Sequence, residues 1–128
     1  MSTKLRVFKN RWFNKFCKKE HINDIDLQNM IRDIMSGNID ADYGGFVIKQ
    51  RLARKNEGKS GGYRTIILYR MDDKAFFVYG FAKKDKHNIT KEEEHLFKEL
   101  AKEMLSYDDN ILNKLSADGM LIEVKDDQ

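Results

Sequence analysis

The sequence predicts an α+β domain in which N-terminal helices precede an antiparallel sheet of three to five strands and a C-terminal helix packs on that sheet. Two observations lead to this fold class. Apolar residues recur at helical spacing towards both ends of the chain, whereas the segment between them alternates with a period of two. The chain has 128 residues, 41% of them apolar, which is enough for one domain with one core. Helices and strands that are segregated along a chain in this way favour an α+β architecture.

The N-terminal part predicts a short edge strand and two helices. Residues 4–8 alternate weakly, and Asn10 is a suitable N-cap for the first helix. The second helix is predicted from about residue 24 to 36, with Gly37 as its stop. A loop that contains two aspartates and two adjacent glycines follows. The apolar stripe of the first helix comprises Trp12, Phe13, Phe16 and Cys17, and the residues opposite are Lys15, Lys18 and Lys19.

The central and C-terminal parts predict strands and then helices. The three predicted strands cover residues 46–53, 62–69 and 74–81. Residues 54–61, which connect the first two, hold turn residues and are expected to be mobile. Thr90 and Glu93 form a capping box at the start of the covering helix. Residues 108–115 predict a further short helix, and residues 119–124 predict an edge strand.

Charge is distributed unevenly along the chain. Residues 1–91 contain 20 Lys and Arg against 10 Asp and Glu, a balance of +10, whereas residues 92–128 contain 4 against 11, a balance of −7. The two balances add up to the net charge of +3. The body of the chain is therefore basic and its C-terminal part is acidic. We assign residues 1–107 to the main part of the domain and residues 108–128 to an acidic C-terminal extension of the same domain. A basic body is typical of proteins that bind polyanions.

Composition excludes several classes of protein. No apolar run approaches the length of a membrane span, and the N-terminal residues lack the apolar core of a secretory signal. The lone Cys17 forms no internal disulfide, so we expect a cytoplasmic protein. The three histidines show no metal-ligand spacing, and we expect neither a metal nor a cofactor. Gly58-Lys59-Ser60 resembles the end of a Walker loop, but Ala53 stands where its first glycine is needed.

Positive charges on the predicted strands are the strongest functional signal. Lys49 and Arg51 lie two residues apart on one strand and therefore share a face, which Arg64 on the next strand can join. Almost no acid stands near them in the sequence. Lysines that protect a sheet edge explain one or two of these cations, but not a set drawn from three segments. We expect the set to bind RNA phosphates. Further candidate RNA-binding residues are Arg54, Lys59, Lys83, Lys86 and, for stacking on a base, Tyr63.

Four motifs, in this order, carry a resemblance to a known family: Gly44-Gly45, Ile48-Lys49-Gln50-Arg51, Gly58-Lys59-Ser60-Gly61-Gly62-Tyr63-Arg64 and Phe76-Phe77-Val78-Tyr79-Gly80-Phe81-Ala82-Lys83. Over about residues 5–107 the chain resembles the RelE/HigB branch of the RelE/ParE toxin superfamily. The resemblance implies a compact α+β fold and an mRNA interferase that cleaves codons in the ribosomal A site. It also implies a cognate antitoxin, often a helix-turn-helix protein similar to HigA, and contact with operator DNA only through that antitoxin.

The resemblance also implies roles for individual residues. By position, Lys49, Arg51 and Arg64 correspond to basic residues of the sheet, and Lys83 or Lys84 to a basic residue after the last strand. A tyrosine that some relatives have a few residues later is replaced near Thr90, and His87 is the substitute candidate for acid–base chemistry. The candidate catalytic residues are therefore Arg64, Lys49, Arg51, Lys84 and His87.

Two other functions stay open at this point. A ParE-like inhibitor would act on DNA gyrase by protein contact and would have no need of clustered cations on the sheet. A plain RNA-binding module would use the same cations without cleaving the RNA. Detection of a 2′,3′-cyclic phosphate product would exclude the non-cleaving RNA-binding module. A comparison of mRNA cleavage with gyrase inhibition would distinguish the ParE-like inhibitor from an mRNA interferase.

Overall fold

The computed structural model of the chain describes residues 5–53 and 62–125. Its elements, in chain order, are β1 (Arg6–Asn10), α1 (Arg11–Glu20), α2 (Asp24–Met35), β2 (Ala41–Gly44), β3 (Val47–Leu52), β4 (Tyr63–Arg70), β5 (Lys74–Ala82), α3 (Lys91–Met104), α4 (Asp109–Ala117) and β6 (Leu121–Glu123). The predicted α+β fold class is confirmed. No helix in the described ranges is long and apolar enough to cross a membrane.

The strands of these two ranges form one sheet with the order β2-β3-β4-β5-β1-β6. Strands β2 to β5 are antiparallel neighbours, whereas β1 runs parallel to β5 and antiparallel to β6. The sheet therefore has one strand more than the largest number predicted, and it is mixed. The prediction that the first strand lies at an edge is wrong, because β6 pairs with its other side.

The first two helices begin at side chains that replace missing backbone partners. The side chain of Asn10 accepts a hydrogen bond of 2.7 Å from the backbone N–H of Phe13, as the sequence predicted. At the start of α2, Asn23 and Asp26 form a reciprocal capping box. Helix α1 ends at His21, whose φ of 60° turns the chain away from the helix.

Each face of the sheet carries its own hydrophobic cluster. Ile67 belongs to the cluster below α1 and α2, while its neighbour Ile66 belongs to the cluster below α3. This division follows from the alternation of side chains along a strand. Both isoleucines are fully buried, so β4 is covered by helices on both sides. The molecule is therefore a three-layer structure with the sheet in the middle.

The segment after α3 is part of the same packing. Helix α4 buries Leu112, and β6 buries Leu121 against the second cluster. Arg6 of β1 bonds Glu123 of β6 at 3.0 Å and Asp109 of α4 at 3.1 Å. The predicted short helix and edge strand are both observed, and two of the acidic residues in this region serve as partners of Arg6.

Candidate functional site

Three cations of the central strands lie on one face of the sheet. The register of β3 and β4 places Arg51 directly opposite Arg64, and Lys49 is two residues from Arg51 on the same strand. Side chains opposite each other in an antiparallel pair project from the same face. Because Lys49 is opposite Ile66, this is the face that α3 covers in part. We call Lys49, Arg51 and Arg64 the cationic sheet face.

Arg64 is the most deeply placed of the three. It is 4% exposed, and its Nη1 donates a hydrogen bond of 3.4 Å to the carbonyl of Tyr63. Among residues 5–53 and 62–125, no carboxylate forms an ion pair with its guanidinium. Two like charges directly opposite each other are destabilising, and a buried charge is costly unless it is paired. The site therefore holds a positive charge that an anion would stabilise.

Asp40 is a site residue that the sequence did not reveal. Its Oδ1 lies 2.9 Å from Nε of Arg51, and its Oδ2 lies 4.0 Å from Nζ of Lys49. The expectation that almost no acid stands near these cations is therefore wrong. The physical reason is the hairpin of β2 and β3, which pairs Ala41 with Lys49 and so brings Asp40, the residue just before β2, beside β3.

A buried glutamine fixes the position of Asp40. Gln50 is 6% exposed, and its Oε1 accepts a hydrogen bond of 3.1 Å from the backbone N–H of Asp40. Its Nε2 donates a hydrogen bond of 2.7 Å to the carbonyl of Asn38. The segment between α2 and β2 is thereby tied to β3. The carboxylate beside Arg51 is held by the fold and not by the ion pair alone.

Lys86, in the connection between β5 and α3, borders the cationic sheet face. Its Nζ bonds both carboxylate oxygens of Glu93 at 2.7 Å and the hydroxyl of Tyr79 at 3.2 Å. It also lies 5.8 Å from the ring of Phe81, which is opposite Arg64 in the sheet. The hydrogen bond that Lys86 donates to Glu93 raises the pKa of Lys86. Lys86 is therefore a fixed cation with its own acidic partner.

The same connection crosses the face of the sheet from β5 to β2. The hydroxyl of Tyr43 in β2 donates a hydrogen bond of 2.8 Å to Oδ1 of Asn88. Since Lys86 is bonded beside β5 and Asn88 is bonded to β2, residues 86–88 form a wall, a segment of chain that lies along the face that carries Arg64. His87 lies in this wall.

The structure does not bring every candidate into contact with the cationic sheet face. Lys84 and His87 are exposed, and neither makes a hydrogen bond or an ion pair within the part of the chain described. Lys83 is half-buried, and its backbone N–H bonds the carbonyl of Gly62 at 3.0 Å. The catalytic roles of Lys84 and His87 stay predictions. Two further candidates, Arg54 and Lys59, lie outside the described residues.

Tyr63 belongs to the core and does not fit its predicted role. It is 3% exposed, its hydroxyl donates a hydrogen bond of 2.7 Å to Glu20, and its ring meets that of Phe16 edge-on at 5.7 Å. Its side chain projects from the face opposite Arg64 because adjacent residues of a strand alternate. A base cannot stack on a ring in this position, so the structure does not support the predicted contact of Tyr63 with RNA.

Cys17 is not available as a nucleophile. It is 3% exposed, and burial raises the pKa of its thiol to about 12. The reactive thiolate is therefore scarce at neutral pH. Residues 5–53 and 62–125 contain no group of three His, Cys, Asp or Glu side chains arranged to hold a metal ion.

The chain is thus a small α+β protein whose sheet carries the cationic sheet face. Proteins of this class can bind a polyanion at such a surface. The chain matches the profile of one family, described as "RelE toxin of RelE / RelB toxin-antitoxin system", over residues 5–124. The chain belongs to this RelE family. It is therefore a toxin of a toxin–antitoxin system, and membership implies an antitoxin as its partner. No curated protein and no solved structure matches the chain.

Proposed function

We propose that this toxin is an mRNA interferase, an endoribonuclease that cleaves mRNA on the ribosome. The observation that carries the proposal is the buried guanidinium of Arg64, opposite Arg51 and without an ion-paired carboxylate in the described ranges. A phosphate diester supplies the missing anion. Family membership supports the proposal, since toxins of the RelE family are generally ribonucleases.

The chemistry is an internal displacement at phosphorus. The ribose 2′-oxygen forms a bond to the adjacent phosphorus, and the bond from phosphorus to the 5′-oxygen breaks. The products are a 2′,3′-cyclic phosphate and a free 5′-hydroxyl group. Negative charge gathers on the phosphoryl oxygens in the transition state, and donors placed there in advance lower the barrier. The reaction requires no metal ion where side-chain cations neutralise this charge.

Arg64 and its neighbours are assigned different parts of this task. The planar fork of Arg64 suits two phosphoryl oxygens at once, which a lysine ammonium cannot match. Arg51 uses Nε for Asp40, which leaves its two Nη groups available as donors to the substrate. Lys49 adds charge from the same strand. The three together stabilise a phosphate that carries extra charge as the bonds exchange.

A base has to remove the proton of the 2′-hydroxyl, and an acid has to protonate the leaving 5′-oxygen. Arg64 and Arg51 stay protonated and cannot serve as the base. Lys86 is also unsuitable, because Glu93 raises its pKa and keeps it charged. We assign the base to His87, because histidine is the side chain that most often acts as a general acid or base. We assign Lys84 to the developing charge on the same side, since it lies three residues earlier in the same connection.

Transcript mapping tests this proposal. Primer extension after induction, with and without active translation, is expected to reveal cuts that require translation and leave a 2′,3′-cyclic phosphate. Arg64→Ala is expected to lose about 10²- to 10³-fold in cleavage rate. Arg32→Ala is the matched control, because Arg32 is exposed on α2 on the other side of the sheet. Growth arrest by Arg64→Ala equal to that of the unchanged toxin would refute the assignment.

The same experiments decide between the competing functions. A ParE-like inhibitor would arrest growth through gyrase without cutting transcripts, and a non-cleaving RNA-binding module would bind mRNA without producing the cyclic phosphate. We propose further that the toxin acts in the cytoplasm, where it meets ribosomes. We also propose that its antitoxin is a helix-turn-helix protein similar to HigA, which contacts operator DNA. Rescue of growth by co-expression of such an antitoxin tests the pairing.

A further inference from the structure

Helix α1 carries a basic surface that the proposed active site does not use. Its ten residues include four exposed cations and a single acid, Glu20. At 100° per residue, the four cations occupy about 100° of the helix circumference. None of the four forms an ion pair within residues 5–53 and 62–125. We call this surface the α1 basic stripe, and it comprises Arg11, Lys15, Lys18 and Lys19.

An exposed indole lies at the border of this stripe. Trp12 is 46% exposed, although the sequence placed it in the apolar stripe of α1. One side of its ring stacks on Phe16 at 5.4 Å with an interplanar angle of 13°, and its centroid is 4.8 Å from that of Tyr79. The indole is therefore supported by other rings while nearly half of it faces outward.

The sheet explains why this indole is uncovered. The pairing of β1 with β5 ends at Lys9 and Phe77, and Asn10 then bonds the carbonyl of Val78 through its side chain at 3.1 Å. Beyond Val78, no β1 residue in the described ranges pairs with β5. Trp12, in the first turn of α1, lies next to this free edge and contacts Tyr79 there.

Tyr79 connects this region with the cationic sheet face. Its hydroxyl bonds Nζ of Lys86, and Lys86 lies 5.8 Å from the ring of Phe81. Phe81 is directly opposite Arg64 in the sheet. Tyr79, Lys86 and Phe81 therefore link Trp12, at the edge of the sheet, with the strand position opposite Arg64.

We propose that Trp12 and the α1 basic stripe bind the single-stranded RNA that flanks the linkage held at the cationic sheet face. One base stacks on the outward face of Trp12, and the phosphates of that strand lie along the stripe. Exposed aromatic rings beside unpaired cations are the combination with which proteins bind single-stranded nucleic acid. The inference rests on the proposed function, because it takes the polyanion at Arg64 to be the RNA substrate.

The chain offers a direct test, because Trp12 is its single tryptophan. The probe is a labelled 2′-O-methyl RNA oligonucleotide of about ten nucleotides, which lacks the 2′-hydroxyl nucleophile and stays intact. Titration is expected to change the intrinsic fluorescence of Trp12 in parallel with the anisotropy of the label. Trp12→Ala is expected to weaken binding about tenfold, since stacking of one base is worth about that factor. Trp12→Phe keeps an aromatic ring and is expected to recover most of the affinity.

Salt dependence tests the stripe separately from the ring. Each phosphate contact to a single strand contributes about 0.7 to the slope of log affinity against log salt. The combined variant Lys15→Gln, Lys18→Gln and Lys19→Gln is therefore expected to lower that slope by about 2. The matched control replaces three other exposed basic residues, Arg32, Lys102 and Lys114, by glutamine and is expected to leave the slope within about 0.5 of its original value.

Two results would overturn the inference: saturation of the anisotropy without any change in Trp12 fluorescence, or equal slopes for the stripe variant and its control. Either result together with normal mRNA cleavage by the unchanged toxin leaves the proposed function standing. Conversely, Trp12 quenching by the oligonucleotide, together with no cleavage of mRNA during active translation, supports the α1 surface and refutes the ribonuclease. The two proposals can therefore fail independently.

Discussion

Asp40 and Arg51 form an ion pair of 2.9 Å, between Oδ1 and Nε, within the cationic sheet face. Gln50 also accepts a hydrogen bond from the backbone N–H of Asp40, so the position of this carboxylate does not depend on Arg51 alone. The aspartate aligns Arg51, and it also opposes the negative charge of an incoming phosphate. The carboxylate of Asp40 therefore favours the alignment of Arg51 but disfavours the binding of the phosphate.

Asp40→Asn is expected to tighten binding of the uncleavable oligonucleotide about fivefold at low salt. The factor corresponds to the removal of about 1 kcal/mol of repulsion between the carboxylate and the phosphate. Cleavage at saturating RNA is expected to fall, because Arg51 is no longer held by a carboxylate. Asp118→Asn serves as control, since Asp118 is exposed at the end of α4. Unchanged affinity in both variants would show that Asp40 does not face the substrate.

Arg64→Met is expected to separate stability from activity. Methionine preserves the apolar stem but removes a buried charge that lies opposite Arg51. Replacing buried charges by apolar residues of similar volume is often neutral or stabilising. We expect an unchanged or higher Tm together with a loss of cleavage of at least about 10²-fold. A fall in Tm by several degrees would mean that Arg64 has a stabilising anionic partner.

The pair of Lys86 and Glu93 predicts a pH dependence of stability. The hydrogen bond from Lys86 lowers the pKa of Glu93. The carboxyl therefore stabilises the fold above its unfolded pKa of about 4.3, and this stability is lost as the pH falls through the lowered folded value. The pKa of Lys86 is raised, so its contribution is present below the unfolded value of about 10.4 and is lost as the pH rises through the folded value.

Glu93→Gln tests this pH dependence because glutamine can still accept the backbone hydrogen bond of Thr90. We expect its free energy of unfolding in urea to be about 1 kcal/mol or less below that of the unchanged chain at pH 7. The two are expected to converge near pH 2.5. Glu99→Gln is the control, since the pair of Glu99 with Lys102 is largely exposed. A difference that persists at pH 2.5 would contradict the electrostatic explanation.

Gly80→Ala is expected to destabilise the contact between α1 and β5. A Cβ atom at this position would lie 2.7 Å from Cε2 of Phe16 and 3.1 Å from Cε1 of Phe13. Overpacking of this kind costs about 1–3 kcal/mol, so we expect Tm to fall by at least about 4 °C. The addition of Phe16→Leu is expected to recover part of the loss by making room. Equal melting temperatures for Gly80→Ala and the unchanged chain would show that Phe16 moves aside freely.

Cys17 is expected to resist alkylation in the folded protein. Burial raises the pKa of its thiol to about 12, and the side chain is almost inaccessible. Mass spectrometry after treatment with iodoacetamide at pH 8 should show no adduct within an hour. The same treatment in 6 M guanidinium chloride should label the thiol completely. Rapid labelling of the native chain would show that α1 opens readily from the sheet.

Local periodicity was sufficient to predict part of the site. Lys49 and Arg51 share a face of the sheet because they are two residues apart on one strand, and this holds for any neighbouring strand. The same rule should have excluded Tyr63, since it adjoins Arg64 and therefore projects from the opposite face. The capping boxes and the helix starts were also local, which is why Asn10 and Thr90 were identified correctly.

Contacts between distant segments could not be predicted in this way. Asp40 reaches Arg51 through the register of β2 and β3, and that register shifts between Asp42 and Gly44. The sequence predicts a loop where the short β2 lies, because two aspartates and two glycines stand in and beside this strand. The position of β1 inside the sheet depends on β6, whose three residues carry little pattern of their own.

The pairing of β1 with β6 has a consequence for synthesis of the toxin. Phe8 leaves the ribosome early, whereas its partner Glu123 is added after the other strands of the sheet have been translated. The parallel partner of β1, from Lys74 onward, is also made late. Strand β1 is therefore synthesised well before its two partner strands, β5 and β6, and is unpaired with them for most of translation. The toxin thus gains its finished sheet only after the ribosome that makes it has passed residue 123.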